Sequence, residues 1–261
     1  MITTHFAGLF LASMVAAAPF MSERDLNATV WTPDHELQPD EVIVYGNGRM
    51  EVIHEDTWLA LLESGGVSVG TPEVDHAYLD ARDLDTSEAE SNVLQTRQCA
   101  STTSFVTDRT ERFIDWDVQM SPVVLGVGNG LTVAVASSYS VSNSVSVSAG
   151  LDLKFIKDRL GGTLGINYSR TWTTQASVTL PGIVSDGQAG VWITKPWTTR
   201  RYGRTFQGCI GSLRQTGTFM ADSHDEGSYE GVRWVSGGIS MCLKRQRTLP
   251  LTRCNGSGAF R

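Results

Sequence analysis

Residues 132–155 read TVAVASSYSVSNSVSVSAGLDLKF. Val133, Val135, Tyr139, Val141, Val145, Val147, Leu151, Leu153 and Phe155 fall on odd positions, and most even positions are serine or another small or polar residue. Side chains of an extended strand alternate between its faces, so the stretch has one apolar face and one hydroxyl face. A second stretch, TLGINYSRTWTTQASVTL at residues 163–180, repeats the period. Leu164, Ile166, Tyr168, Trp172, Val178 and Leu180 lie on one side of it and Thr, Ser and Asn on the other. Ser, Thr and Val favour strands over helix interiors, which argues against helix in both stretches. Lys157, Asp158, Arg159, Gly161 and Gly162 between them predict a turn. Unbroken, the first stretch would reach roughly 80 Å at about 3.3 Å per residue. Ordinary strands have about 3–10 residues, so Asn143 and Gly150 are the expected breaks.

Two readings follow from this pair. In one, the strands belong to an elongated sheet with the apolar face inward. In the other, they form a hairpin that associates with a membrane. A transmembrane strand needs about 9–11 alternating residues, apolar toward lipid and polar toward the lumen. Such a hairpin closes a barrel only as an oligomer. The charged turn, and a glycan at Asn167 on the polar face, stand against insertion. The fold class predicted is mainly β: an elongated antiparallel sheet with long amphipathic strands, preceded by a small acidic ββα pro-like unit.

The apolar run FAGLFLASMVAAA at residues 6–18 is too short for a transmembrane helix and ends in small residues before Pro19. It reads as a signal peptide, residues 1–18. The four cysteines, Cys99, Cys209, Cys242 and Cys254, include no CxxC pair, so disulfides outrank zinc. Three pairings are open. The local Cys242–Cys254 is preferred, which leaves Cys99–Cys209. Asn27, Asn167 and Asn255 begin N-glycosylation sequons.

Charge divides the chain. Residues 19–97 hold 17 acidic side chains against 4 arginines, net −13, and residues 98–261 hold 11 against 17 basic ones, net +6. Attraction between the two parts is one consequence. Removal of the first by cleavage after Arg97 is another. Within it, EVIVY and MEVI flank Gly46-Asn47-Gly48 as a hairpin. A short helix from Asp56 to Leu62 stops at Gly65-Gly66. Residues 71–98 are expected to be extended. The third part is a disulfide-bonded β domain, residues 98–261. There, residues 187–194 predict a strand. After it Lys195, Trp197, Arg200, Arg201, Tyr202 and Arg204 crowd together. Arginines and aromatics suit an anionic surface, and they also suit pairing with the acidic segment.

Catalytic signals are weak. There is no GxSxG, HExxH or P-loop, and GVGNG at residues 126–130 lies between β-like segments. A hydrolase would have to use Asp115 and Asp117 of IDWDV, or His224, the one histidine of five that follows Arg97. No catalytic residue, metal or cofactor is predicted, and no nucleic-acid partner.

The stretches MSERDLNATVWTP, YGNGRMEVI, TSFVTDRTERFIDWDVQMSPVV, SVSVSAGLDL, TKPWTTRRYGRTFQGC, MADSHDEGSYEGVRWVSG and LTRCNGSG resemble a group of fungal candidate secreted effector-like proteins. That resemblance spans nearly the whole chain. It implies secretion and a virulence-type role against a host or competitor, and it brings no catalytic residues. A dibasic processing site would fit it better than the single Arg97. Over residues 132–180 the Ser/Thr-rich paired strands also resemble the insertion region of aerolysin-like β-pore-forming toxins. The expected function is a secreted, non-enzymatic, effector-like or toxin-like protein at a target-cell surface. Its partner is a membrane or, alternatively, a cell-wall component, surface glycan or host protein.

Overall fold

A computed structural model of the chain describes residues 28–46, 48–80, 101–136, 139–174, 180–229 and 232–261. The fold is mainly β, as the alternation predicts. It is organised by one strand. After β1 (Thr29–Val30), β2 (Glu41–Gly46), β3 (Arg49–His54), α1 (Glu55–Ser64), β4 (Ser68–Val69) and α2 (His76–Asp80), the chain enters β5 (Thr102–Ile114), β6 (Val118–Gln119) and β7 (Val124–Leu125). These three pair in succession along one edge of β13 (Ala189–Cys209), a strand of 21 residues. Along its other edge run β14 (Ser212–His224) and β17 (Gly237–Lys244). The hand-over falls at Pro196, opposite Gly237, where the ladder changes partners and a missing N–H costs least. The parallel β4–β5 pair makes this 11-stranded sheet mixed rather than wholly antiparallel.

The strand predicted at residues 187–194 runs on through the basic cluster at residues 195–204, which forms the middle of the central strand. Burial of Lys195 and Arg200 there forces those charges to find protein partners. Arg200, 3% exposed, makes a two-pronged contact with Asp222 directly across the ladder, both at 2.8 Å. Its Nη1 donates to the Pro72 carbonyl at 2.9 Å, and its guanidinium lies 5.0 Å from the Phe113 ring. Lys195 pairs with Glu55, Arg201 bonds the Ser223 hydroxyl, and Arg204 grips Asp108 through two nitrogens. Trp197 and Tyr202 are buried.

The acidic N-terminal part is built into this sheet. The GNG hairpin forms β2–β3, and β2 pairs with β17. Val42, Ile53, Trp58, Leu62 and Val67 share a core with Ile114 and Trp197. Residues 67–80 then cross the β5–β13–β14 ribbon. Asp75 N donates to the Tyr202 hydroxyl, Arg109 pairs with Asp75, and Tyr78 donates to Asp108. The small ββα unit forms as predicted, and its hairpin joins the sheet of the β domain through β17, with residues 67–80 as a strap. Part of residues 71–98, expected to be extended, is the helical turn α2. Arg97 and the signal-like run lie outside the described residues.

The C-terminal β15 (Glu226–Tyr229) and β16 (Val232–Val235) form a hairpin, as do β18 (Leu251–Thr252) and β19 (Ala259–Phe260). Cys242–Cys254 is bridged with Cα atoms 5.7 Å apart, as the local pairing predicts. Cys209 is also disulfide-bonded, and Cys99 lies outside the described residues.

Because Arg200 cannot shed its charge, removing its partner exposes the full burial penalty. Asp222→Ala is expected to lose about 3–5 kcal/mol in urea unfolding at neutral pH, whereas Arg200→Met combined with Asp222→Leu recovers most of that loss.

Candidate functional site

Between β7 and β13 the chain makes a long excursion containing both alternating stretches. It holds β8 (Leu131–Thr132), β9 (Ser140–Ser142), β10 (Ser144–Val147), α3 (Leu153–Leu164), β11 (Thr171–Thr173) and β12 (Ile183–Val184). The first arm keeps its predicted faces. Val133, Val135, Val141 and Val145 are buried, Tyr139 and Val147 are half-buried, and Ser140, Ser142, Ser144 and Ser146 are exposed. In the second arm Tyr168, Trp172 and Leu180 are buried and Ile166 half-buried; Val178 lies outside the described residues.

The two arms run antiparallel as a bent hairpin. Thr132 opposes Ile183, Val133 N donates to Gly182 O, and Val141 opposes Trp172. Asn143 N then donates to Arg170 O. Its base sits in the largest core, where Val133, Val141, Trp172, Leu180 and Val184 join Trp192 and Trp234. Trp192 Nε1 donates to Val133 O at 3.0 Å. Gly182 passes so close over the Trp192 ring that a Cβ would come within 2.6 Å of it.

Beyond Asn143 the expected pair of long strands fails. β10 leaves its partner arm and pairs with β14, Val145 opposite Ala221. Leu153, Phe155 and Leu164, read as strand residues, lie in α3, and so does the expected turn. Leu151 is half-buried just before it. Asp152 caps α3 by accepting from Phe155 N, Gly165 ends it in the left-handed conformation, and Ile156 and Leu160 give it a buried side. The caps and the four-residue spacing outweigh strand propensity. This tip rests on a smaller core with Phe219 and Ala221. Val145, Ile156, Leu160 and Tyr168 hold it there, the aliphatic ones contributing roughly 1.5–3 kcal/mol each.

Two polar anchors that the alternation does not disclose complete the docking. Asn143 Oδ1 accepts from His224 N at 2.8 Å and from His224 Nδ1 at 3.1 Å, while Asn143 Nδ2 donates to Asn167 O. Glu226 accepts from Trp172 Nε1 at 3.0 Å and pairs with Arg170. Asn143, the polar interruption in the apolar row, was the visible signal; nothing local marks Glu226.

The catalytic candidates do not converge. Asp117 is buried, accepts from Asn255 N at 2.6 Å, and is pushed above the usual carboxylate range by burial. Cys242 and Cys254 lie close to it, but their sulfurs are joined to each other. Asp115, just past the end of β5 rather than on a strand face, accepts from the Thr71 hydroxyl and from Trp116 N. His224 is engaged in docking the tip. Asn167 is exposed and Asn255 half-buried; Asn27 lies outside the described residues. A cleft of ≈ 380 Å³ between α1 and the sheet is lined by Trp58, Glu55, Lys195, Ser240, Cys254 and Asn255. No family model, curated protein or solved structure matches this chain.

Burial lowers the His224 pKa below its ordinary 6.5, against the charges of Asp115, Asp222 and Asp225, and Nε2 has no hydrogen-bond partner among the described residues. Above pH 6.5 the ring is neutral in both folded and unfolded chains. As pH falls from 6.5 toward the lowered folded value, the unfolded chain takes up a proton that the fold resists, so stability declines. His224→Gln is expected to flatten that decline, read as the difference between urea midpoints at pH 7.5 and pH 5.

Proposed function

We propose that this is a secreted, non-enzymatic, effector-like or toxin-like protein that acts at a target-cell surface, and that the excursion at residues 131–184 is its membrane-contacting part. One observation carries the reading. The two arms of the excursion are antiparallel partners, Val141 against Trp172 and Ser142 against Thr171, with apolar side chains on one face and hydroxyls on the other. That is the chemistry a lipid-facing hairpin requires. The fungal effector-like resemblance supports secretion and an adversarial role. The cluster at residues 195–204 is spent on internal pairs, so the surface-seeking role passes to the hairpin.

A second reading is a binding protein for a glycan, cell-wall component or host protein. It is favoured by Trp116, which is 41% exposed and packs against Gly256, next in sequence to Asn255 of the cleft lining. An exposed indole stacks on sugar rings. A glycan-array signal lost in Trp116→Ala selects this reading; Trp197 is buried and unsuited to that test.

The full secreted chain is expected to release dye from phosphatidylcholine–phosphatidylserine vesicles. Val147→Arg places a charge on the lipid face at about 2–4 kcal/mol near the bilayer midplane, and leakage is expected to fall at least about tenfold. An unchanged urea midpoint for the variant checks that the fold survives. Absence of leakage at pH 5 and pH 7, or an occupied glycan at Asn167, counts against the membrane reading.

A further inference from the structure

Asp117 lies in the link between β5 and β6 and is fully buried. Its Oδ2 accepts from Asn255 N at 2.6 Å, while Oδ1 has no hydrogen-bond partner among the described residues. A buried carboxylate with an idle oxygen is costly in its charged form. Burial accordingly pushes its pKa above the ordinary 3.8, against the Asn255 N–H and the charges of Lys195 and Arg253. Lys195 is paired with Glu55, and the Arg253 guanidinium donates to the Asp117 carbonyl. Asp115, two residues earlier, takes the Thr71 hydroxyl instead. What Asp117 has beside it is sulfur: a carboxylate oxygen lies within 4.8 Å of both Sγ atoms of the Cys242–Cys254 disulfide.

The two sulfurs differ in their surroundings. Cys254 is exposed in the loop between β18 and β19 and lines the cleft beside α1. Cys242, in β17, is fully buried in a core with Val191, Ile193, Leu251 and Phe260. An incoming thiolate therefore reaches the Cys254 sulfur, and the sulfur it displaces is that of Cys242. As a thiolate in apolar surroundings Cys242 would be a poor leaving group, because burial disfavours the charged form. A neutral acid within reach removes that cost. We infer that Cys242–Cys254 is a thiol–disulfide exchange site, attacked at Cys254 by a dithiol reductant, with Asp117 supplying the proton to the departing Cys242 sulfur.

The exchange balances as follows. The first thiolate of the dithiol bonds to Cys254 Sγ as the Cys242–Cys254 bond breaks. The electron pair goes to Cys242 Sγ, which takes the Asp117 proton and leaves a carboxylate. The second thiolate of the dithiol attacks the reductant's own sulfur in this mixed disulfide, and Cys254 departs as a thiolate that is protonated by solvent. The protein disulfide is reduced to two thiols and the dithiol is oxidised to a disulfide. Asn255 is tied to Asp117 twice, since Asp117 N also donates to Asn255 O at 3.2 Å. Cys254 and Asn255 form part of one wall of the cleft, so opening the bond loosens that wall. The site is independent of how the chain meets a target cell.

The test follows each disulfide of the full chain in dithiothreitol, by alkylation of the freed thiols and peptide mass spectrometry. None of the described cysteines is free beforehand. Asp117→Asn retains an acceptor for Asn255 N but has no carboxyl proton to give. It is expected to slow reduction of Cys242–Cys254 at least about tenfold at about pH 5, within what a positioned general acid contributes. The disulfide at Cys209 serves as the internal control and is expected to keep its wild-type rate. A loosened fold would do the opposite and speed reduction. In the wild-type chain the rate per dithiothreitol thiolate is expected to be at least about tenfold higher at about pH 5 than at about pH 8, because ionisation of Asp117 removes the donor. Glutathione, trapped with acid as the mixed disulfide, is expected on Cys254 at least about tenfold over Cys242. An unchanged rate in Asp117→Asn, a flat per-thiolate profile, or glutathione chiefly on Cys242 overturns the site. The profile needs only the wild-type chain, so it decides alone where Asp117→Asn does not fold.

Discussion

The rest of the structure depends on the burial of β13 between two edges of neighbours along nearly its whole length. A strand in that position gives up much of its contact with water, and this one carries the buried Lys195 and Arg200 and the half-buried Arg201 and Arg204. Their neutralisation dictates what must lie beside it. Asp222 comes from the adjacent strand at the same ladder position, Asp108 from the opposite edge, and Glu55 and the Pro72 carbonyl from the N-terminal part. Apolar packing gives the sheet its cohesion, and these charge contacts narrow the registers it can take. Moving β14 by one residue would leave Arg200 facing away from Asp222, at a cost no surface pair could offset.

The same constraint explains the charge division of the chain. The acidic N-terminal part and the basic remainder meet in particular contacts, Glu55 with Lys195 and Asp75 with Arg109, while Val42, Trp58 and Leu62 add apolar contact to the attraction. Exposed ion pairs contribute little individually. What binds the N-terminal part is that its hairpin extends the sheet through β17 and its strap covers the polar face of the ribbon. Loss of this part would strip the sheet of an edge and bare the side of Arg200 that faces Pro72.

Stability is distributed unevenly across this frame. The base of the hairpin shares a core with Trp192 and Trp234 and is held by Glu226 through Trp172, whereas its tip rests on a small patch around Phe219, with Asn143 pinning the junction between them. That pin runs through a buried histidine whose protonation the fold resists. A segment docked by a few contacts is where local opening would begin. This asymmetry makes the hairpin, rather than the catalytic-looking acids or the arginine cluster, the centre of the functional proposal.

Much of this was legible in residue order alone. The alternation of the first arm, the β2–β3 hairpin, the Gly65-Gly66 helix stop and the Cys242–Cys254 bridge depend on neighbours a few residues away, and local chemistry suffices to set them. The hairpin arms were also readable, because period-two patterns record which face is buried. The path of the chain beyond Asn143 was not. Leu153, Ile156, Leu160 and Leu164 satisfy a helical spacing while Leu151, Leu153 and Phe155 satisfy a strand, and the caps at Asp152 and Gly165 together with the packing surface at Phe219 and Ala221 select the helix. Nor could a run of arginines disclose its own burial, since the acids that make burial tolerable lie on strands distant in the chain. Local order determined the faces and the turns; tertiary contact decided which charges could leave water and which of two patterns the tip would obey.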